Sequence, residues 1–317
     1  HALRNEISPR QGPVRLREFT IIDLEFFLDP EDKKCPVLDE VQNETLRLIT
    51  AENKMKDKTE PVTFTIKEAL TKQIIKEEWQ AYFMALAKRF LIELGVPEDQ
   101  QRFIEKMEWE RAHYSMQGFD QEVYTERWGW VEVSGHNYRT DYDLSRHMKA
   151  SGVDLTAFKE GENGGRRFVP HVIEPSFGLD RLAYVALEYA YTKRNKRTLL
   201  SLPRDIAPIQ MSVYPLVSKD GLPEKAKEVY KMLLKEGFMS EWDESGSIGR
   251  RYARADEAGT VLGITIDYQT LEDGTVTIRD RDSWKQVRSK LDCLPELIHS
   301  YFCHKIDFEN LGKLIER

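Results

Sequence analysis

Two stretches of this chain carry side chains that could do chemistry together. Near its start stands Arg4-Asn5-Glu6, followed after a Pro/Gly-bearing loop by Arg15-Leu16-Arg17-Glu18-Phe19. Far downstream, Glu174-Pro175-Ser176-Phe177-Gly178-Leu179-Asp180-Arg181 sets a carboxylate and an arginine at a strand-to-helix junction. Arginine suits phosphate because its planar fork grips two oxygens and stays charged. Phe19, one strand period beyond Arg17, offers a ring face to a base. A carboxylate ending an apolar strand, as Glu174 does, is costly unless paired. It reads either as a structural partner of Arg181 or as an anion aimed at a substrate ammonium. Cations for phosphates, an aromatic for a base and carboxylates for an ammonium group form an inventory for activating an amino acid with ATP. Attack of a carboxylate on an α-phosphate is mostly positioning and electrostatics, since two anions must meet. Arg4 is the candidate for the α-phosphate and Arg15 and Arg181 for the outer ones, with a surface ion pair as the alternative for each.

These residues need elements to hold them. From Arg15 to Phe27 the chain alternates as a strand, with Arg15, Arg17, Phe19, Ile21, Asp23 and Glu25 on one face. Thr20, Ile22, Leu24 and Phe26 then point into an apolar layer. Ser8 to Pro13 reads as a turn, making Arg4 to Arg17 a strand-loop-strand hairpin. Residues 30–60 are polar and read as loop or short helix. Thr65 and Glu68 form a capping box that opens one helix running to Leu94, stopped by Gly95 and Pro97. Trp128 to Gly135 is a short strand with Trp128, Trp130 and Glu132 on one face. Gly161 to Arg167 is a glycine-rich basic loop, Phe168 to Ile173 a buried strand, and Leu179 to Tyr191 an amphipathic helix. A boundary falls near Leu202-Pro203-Arg204-Asp205. Beyond it, strands (209–216, 261–268, 275–278) alternate with helices (223–237, 283–302), the pattern of a compact α/β domain.

The bulk numbers exclude several classes. A chain of 317 residues suggests about two domains, and 40% hydrophobic with 32% charged residues fits a soluble globular protein. No apolar run approaches the ~18 residues of a membrane span. Three cysteines without a Cys-x-x-Cys pair and seven scattered histidines argue against a disulfide framework and a protein-held catalytic metal, and for a reducing cytoplasm. No Gly-x-x-x-x-Gly-Lys loop, Gly-x-Gly-x-x-Gly fingerprint or Gly-x-Ser-x-Gly elbow occurs. Gly246-Ser-Ile-Gly-Arg250-Arg251 is a weak candidate phosphate cradle. A net charge of −7 argues against coating nucleic acid through the overall field. Local clusters at Arg166-Arg167, 193–197, Arg250-Arg251 with Arg254, and Arg279 with Arg281 are either solvated faces or a path for an RNA backbone.

At these residues the sequence resembles a class II aminoacyl-tRNA synthetase, and within it the archaeal/eukaryotic type of glycyl-tRNA synthetase. Arg4 to Gly12 with Arg15 to Phe19 resembles the family's motif 2, and Glu174 to Arg181 its motif 3. Ser245 to Glu257 and Thr277 to Ser283 look like its anticodon-binding domain. The resemblance implies an α+β fold: a class II antiparallel sheet with flanking helices, a helical insertion at about 30–115, and a C-terminal α/β anticodon-binding domain. The catalytic domain would cover 1–204 and the anticodon-binding domain 205–317. It implies that Arg4, Asn5, Glu6, Arg15, Leu16, Phe19, Glu132, Val133 and Arg181 bind ATP, with Mg²⁺ bridging its phosphates and Arg4 and Arg181 catalytic. Asp23, Arg139, Glu174, Pro175 and Ser176 would bind glycine, the carboxylates holding its ammonium group. The implied activity is ligation of glycine to tRNA(Gly) through a glycyl-adenylate, in a cytoplasmic homodimer. The alternative is a synthetase-derived RNA-binding or accessory subunit without catalysis. Three departures stand out. The chain begins at motif 2, without the family's motif 1 stretch, so a longer native protein is expected. Aspartate stands at 23 where relatives commonly have glutamate, and the loop around Phe158–Gly165 is shorter than theirs.

Overall fold

The computed structural model describes residues 1–161 and 164–315. Glu162 and Asn163, within the tract expected to be a glycine-rich loop, lie outside the described residues. The chain divides into two compact units, 1–185 and 186–317.

The first unit contains strands β1 (Ala2–Leu3), β2 (Glu18–Phe19), β3 (Ile21–Asp23), β4 (Phe26–Leu28), β5 (Thr45–Ile49) and β6 (Val62–Thr65). They are followed by β7 (Gln101–Glu105), β8 (Gln117–Thr125), β9 (Gly129–Thr140), β10 (Ala157–Lys159), β11 (Arg166–Phe168) and β12 (His171–Gly178). Its helices are α1 (Ala51–Met55), α2 (Ile66–Thr71), α3 (Glu78–Glu93), α4 (Tyr142–Ser151) and the start of α5 (Leu179–Ala190). The expected antiparallel sheet is present, eight-stranded, in the order β3-β12-β9-β8-β7-β5-β6 with β4 also on β12. Only β5 and β7 run parallel.

Helix α3 covers one face of this sheet. Phe90 meets Phe177 edge-on at 5.7 Å, and Trp79 and Phe83 close around Phe26 and Ile173. Successive strand residues point to opposite faces. With Ile173 and Phe177 under the helix, Glu174, Ser176 and Gly178 are left on the open face.

Four expectations change. The Arg15–Phe27 strand is broken into β2, β3 and β4, and Ile22 and Leu24 are exposed rather than in an apolar layer. The 30–60 stretch holds β5, whose Leu46 and Leu48 are fully buried; the alternation is short and hidden among charges. Thus the expected helical insertion over about 30–115 supplies α3, but also adds β5, β6 and β7 to the sheet. The helix opened by the Thr65–Glu68 capping box stops at Thr71. Gln73 takes a positive φ of 55°, and the buried Gln117 side chain fills the break. Its amide donates to the Ile74 carbonyl at 2.8 Å and accepts from the Lys76 N–H at 2.9 Å. A glutamine from a distant strand thus satisfies the backbone that a continuous helix would have bonded internally.

The second unit begins with a two-stranded hairpin, β13 (Tyr191–Arg194) and β14 (Arg197–Leu200). It continues with β15 (Met211–Pro215), α6 (Leu222–Lys235), β16 (Ser240–Trp242), α7 (Ile248–Ala258), β17 (Leu262–Ile266) and α8 (Tyr268–Asp273). It ends with β18 (Thr275–Asp280), β19 (Gln286–Lys290), α9 (Leu294–Phe302) and β20 (Lys313–Leu314). The sheet order is β16-β15-β17-β18-β19-β20, over a core that includes Val213, Leu233, Ile264, Ile278 and Ile298. The helix expected over 283–302 forms only from Leu294. Before it, Val287 and Ser289 are buried and alternate with outward Gln286, Arg288 and Lys290, a period of two that makes β19.

Three arginines from the basic clusters of this unit, Arg251, Arg279 and Arg281, face inward. Arg251 donates to the carbonyls of Pro215, Glu244 and Gly246. The arginine that would complete a phosphate cradle is therefore buried and bonded to its own loop. Arg279 forks onto Asp256 at 2.8 and 3.0 Å, and Arg281 bonds the carbonyls of Gly259 and Leu202. Among the described residues no helix is long and apolar enough to cross a membrane, and the three cysteines are free thiols.

Candidate active site

On the open face of the first sheet lies a cavity of about 480 Å³. Eleven of the residues singled out in the sequence line it: Arg4, Glu6, Arg15, Leu16, Phe19, Asp23, Glu132, Val133, Glu174, Ser176 and Arg181. The odd-numbered face of the 15–25 stretch supplies Arg15, Phe19, Ile21 and Asp23, so the period survives the breaks between short strands. Asn5, Arg139 and Pro175 do not line it. Pro175 shares the helix-facing side of β12, and its carbonyl accepts from Leu24 N–H at 3.0 Å.

Two irregularities in β9 decide what the cavity sees. In the register, Gln121 lies opposite Ser134 and Glu122 opposite Glu132, so Val133 is an extra residue. Ser134 and His136 point into the core, both nearly inaccessible. In a regular strand Glu132 would follow them. The bulge reverses the alternation and turns Glu132 toward the cavity. A second skip in the pairing with β12 leaves Arg139 unmatched between Tyr138 and Thr140.

The pairing between the two motifs differs from the simple expectation. Glu174 does not meet Arg181. It accepts from Arg139 Nη1 at 2.5 Å and from Asn137 Nδ2 at 3.4 Å. Arg139 also binds Asp143 through Nε at 2.8 Å and lies 4.2 Å over the Tyr114 ring. Burial raises the Glu174 carboxyl above its usual range, with Arg139 pulling it back and Asp23 adding to the rise. Beside it, Ser176 stands opposite Asp23 in register, and its hydroxyl donates to the Asp23 carboxylate. The result is an acidic corner on a rigid strand pair.

Arg181 is held differently. Its Nε donates to the Val14 carbonyl at 2.9 Å and its Nη1 to the Glu132 carbonyl at 2.6 Å, while the Glu132 carboxylate stays 3.6 Å away. Asp180 anchors the same helix start by accepting from Thr20 N–H at 2.8 Å. The Arg4 guanidinium lies 5.4 Å from the Phe19 ring centre, and Arg15 is 3.8 Å from Glu6. These cations keep donors for an incoming anion. A neighbouring recess is bordered by Arg15, Glu132 and Arg181 again, together with Trp128 and Trp130.

Sequence reasoning missed Lys106, Tyr114, Asp120 and Asn137, which also line the cavity. Lys106 Nζ lies 2.9 Å from Asp120 Oδ1. Burial and the nearby Glu132 push the Asp120 carboxyl up to about 6, against the pull of Lys106. Burial works against the Lys106 charge, yet Asp120 holds its pKa above the usual value. For Asp120 the signal was the alternation of β8 and for Asn137 that of β9, whereas Lys106 and Tyr114 lie outside the strands and carry no periodic signal. Beneath, His136 bonds Ser134 at 3.0 Å, and burial holds its pKa down at about 3.

Comparison with known proteins finds two kinds of similarity, to a domain family and to whole proteins. A family described as "Anticodon binding domain" matches residues 210–301. The chain is 45% identical to the glycine–tRNA ligase of Aeropyrum pernix, over 98% of this chain and 65% of that protein. It is 40% identical to that of Pyrococcus furiosus, over 93% of this chain and 65% of the relative, and 38% identical to that of Methanocaldococcus jannaschii, again over 93% and 65%. The chain thus spans 65% of the length of these curated relatives. The first alignment runs over 381 positions against 317 residues here, so that relative carries residues inside the matched stretch that this chain does not.

Proposed function

We propose that this chain, homologous to the glycine–tRNA ligases along nearly its whole length, activates glycine with ATP and passes it to tRNA(Gly). We read 1–204 as the catalytic domain and 205–317 as the anticodon-binding domain of a homodimeric cytoplasmic enzyme. The observation that carries this reading is the meeting of motif 2, motif 3 and the Glu132 bulge around one cavity. That cavity offers cations and an aromatic ring beside an acidic corner.

In this reading Arg4, with Glu6, Arg15, Phe19, Glu132 and Arg181, receives ATP, and Leu16 and Val133 border it; Asn5, which does not line the cavity, acts through its place between Arg4 and Glu6. Arg4 neutralises the α-phosphate as negative charge builds on its oxygens, and Arg15 and Arg181 clamp the outer phosphates. Asp23 and Glu174 attract the glycine ammonium, Ser176 orients Asp23, and Pro175 acts through the strand it stiffens. Arg139 acts one step back, fixing the Glu174 carboxylate in place. The glycine carboxylate attacks the α-phosphate, pyrophosphate leaves, and the glycyl group of the adenylate then moves to a ribose hydroxyl of the tRNA with release of AMP. A wall of strand residues around so small an ammonium site leaves side chains no room, and excluding larger substrates is the discrimination a site performs well.

Among the described residues no group of three or more His, Cys, Asp or Glu could hold a metal. A Mg²⁺ ion carried by the triphosphate would be held mainly by phosphates, waters and one or two carboxylates. Glu132, half exposed in the cavity, would complete its shell, and the ion would neutralise phosphate charge there.

Glycine-dependent exchange of labelled pyrophosphate into ATP tests the proposal. Exchange with glycine and not with alanine or serine is expected. No exchange from folded protein would leave the accessory-subunit reading, and exchange with another amino acid would reassign the substrate.

A further inference from the structure

We propose that the β13–β14 hairpin is a phosphate-gripping finger for the tRNA backbone, an inference that rests on the tRNA reading above. Of the basic clusters in the second unit, Arg251, Arg279 and Arg281 are consumed by internal carbonyls and Asp256. The cluster at 193–197 is not. Arg194 lies opposite Arg197 in the hairpin register, which leaves Asn195-Lys196 as a two-residue loop. Both loop residues have positive φ, 48° and 66°, the requirement of the turn whose twist matches a hairpin. Glycine is the usual second residue of such a turn. Here a lysine is held in that backbone conformation, and backbone of this kind collects at functional sites.

The strand β13 is exposed along all four of its residues. A strand this exposed gains little from burial, so its sequence is free to serve contact. Among the described residues the hairpin's ion pair is Arg197 with Asp256, at 3.7 Å. Arg194, in the loop-closing pair, donates to the Asp282 carbonyl and lies 4.4 Å over the Trp284 ring, which fixes the turn end of the hairpin within this unit. Lys196 stands in the loop and Lys193 one pair before the closing pair, both without a carboxylate partner among the described residues, on a chain of net charge −7. Unpaired cations displayed against the overall field suit a polyanion met locally. Arg194 and Arg197 rest on Trp284, inside the 210–301 match to the anticodon-binding family. The hairpin is thereby fixed to that domain, and under the tRNA reading the RNA backbone is the polyanion we assign to Lys193 and Lys196.

The test compares the full chain with its Lys193→Gln/Lys196→Gln variant. Binding of a glycine tRNA transcript is followed across a salt series, with glycine-dependent pyrophosphate exchange measured alongside. Both lysines are exposed, so the fold should hold, and unchanged exchange will report that. Each lysine on a phosphate contributes about one unit of salt slope. The variant is expected to bind roughly tenfold more weakly at moderate salt, with a slope reduced by about one to two. Equal affinity and slope for wild type and variant would overturn the finger and leave the enzyme reading standing. Wild-type protein that exchanges pyrophosphate but binds no tRNA would overturn both the tRNA reading and the finger. A variant that loses binding only to phosphatidylserine vesicles would make the hairpin a membrane element and overturn the proposal.

Discussion

In the first unit, Arg4, Arg15 and Arg181 stand at a cavity, held by a ring face, a distant carboxylate and two carbonyls, with donors to spare. In the second, Arg251, Arg279 and Arg281 are almost wholly buried, and each has its fork filled by the protein itself. The same residue type, clustered with similar spacing, does two kinds of work. The first set can be removed at little cost to folding because solvent replaces what they touch. The second cannot, because a buried partner would be left unpaired. Burial, not clustering, separates the ligand-facing arginine from the structural one.

The comparison breaks most visibly at Arg279. Arg279→Ala leaves the buried Asp256 carboxylate with the longer Arg197 contact at 3.7 Å, and a loss of about 3–4 kcal/mol is expected, the lower part of the range for a broken buried pair. Chemical denaturation read by fluorescence will check it. Replacing Asp256 and Arg279 together by apolar residues of similar volume should restore most of that loss. If Arg279→Ala alone left stability unchanged, the pair would not be structural. At Arg4 the pattern should invert. Arg4→Ala is expected to lower glycine-dependent exchange about 10²–10³-fold, some 2.7–4 kcal/mol of transition-state stabilisation, while moving stability by no more than about 0.5 kcal/mol. A variant that exchanged normally would remove Arg4 from the chemistry.

This contrast also marks how far the sequence could be read. The motif arginines, the Glu174 carboxylate and the alternation through Phe19 and Asp23 lead to one cavity, because strand period and residue chemistry are local properties. The partners do not follow from spacing. Glu174 meets Arg139 rather than Arg181 because strand pairing brings Asn137 opposite it and a register skip frees Arg139. The turn of Glu132 into the cavity depends on one extra residue, Val133, that no alternation reveals. The break after Thr71 is stabilised by Gln117, over forty residues away in sequence, and local helix propensity cannot see it.

A further sharpening uses pH. Asp120 is raised in the fold to about 6 from 3.8, so the native state binds more protons than the unfolded chain between those values. Stability from this group is greatest below pH ~4 and declines as pH rises to ~6. The buried His136, held at about 3, acts in the opposite sense, losing stability as pH falls from 6.5. The two slopes oppose each other through the same window. Asp120→Asn removes one of them. Relative to wild type, the variant should gain up to about 1.4 kcal/mol per pH unit across that window, levelling near roughly 2–3 kcal/mol. Thermal melts of both proteins at matched pH will show it, and a pH-independent difference would mean that Asp120 titrates normally.

The smallest expected effect concerns how the acidic corner is aimed. Ser176 and Asp23 face each other across β12 and β3, and the serine hydroxyl holds the aspartate carboxylate. Aspartate is one methylene shorter than glutamate, so its direction, more than its reach, sets where an ammonium can sit. Ser176→Ala frees that carboxylate without adding volume or leaving a buried charge, since Asp23 is exposed to the cavity. The lost bond is worth about 1 kcal/mol, which predicts a roughly fivefold rise in KM for glycine with KM for ATP and stability unchanged. A rise in KM for ATP instead would show that Ser176 serves the nucleotide. No change in either would show that the strand register alone, without the hydroxyl, aims Asp23.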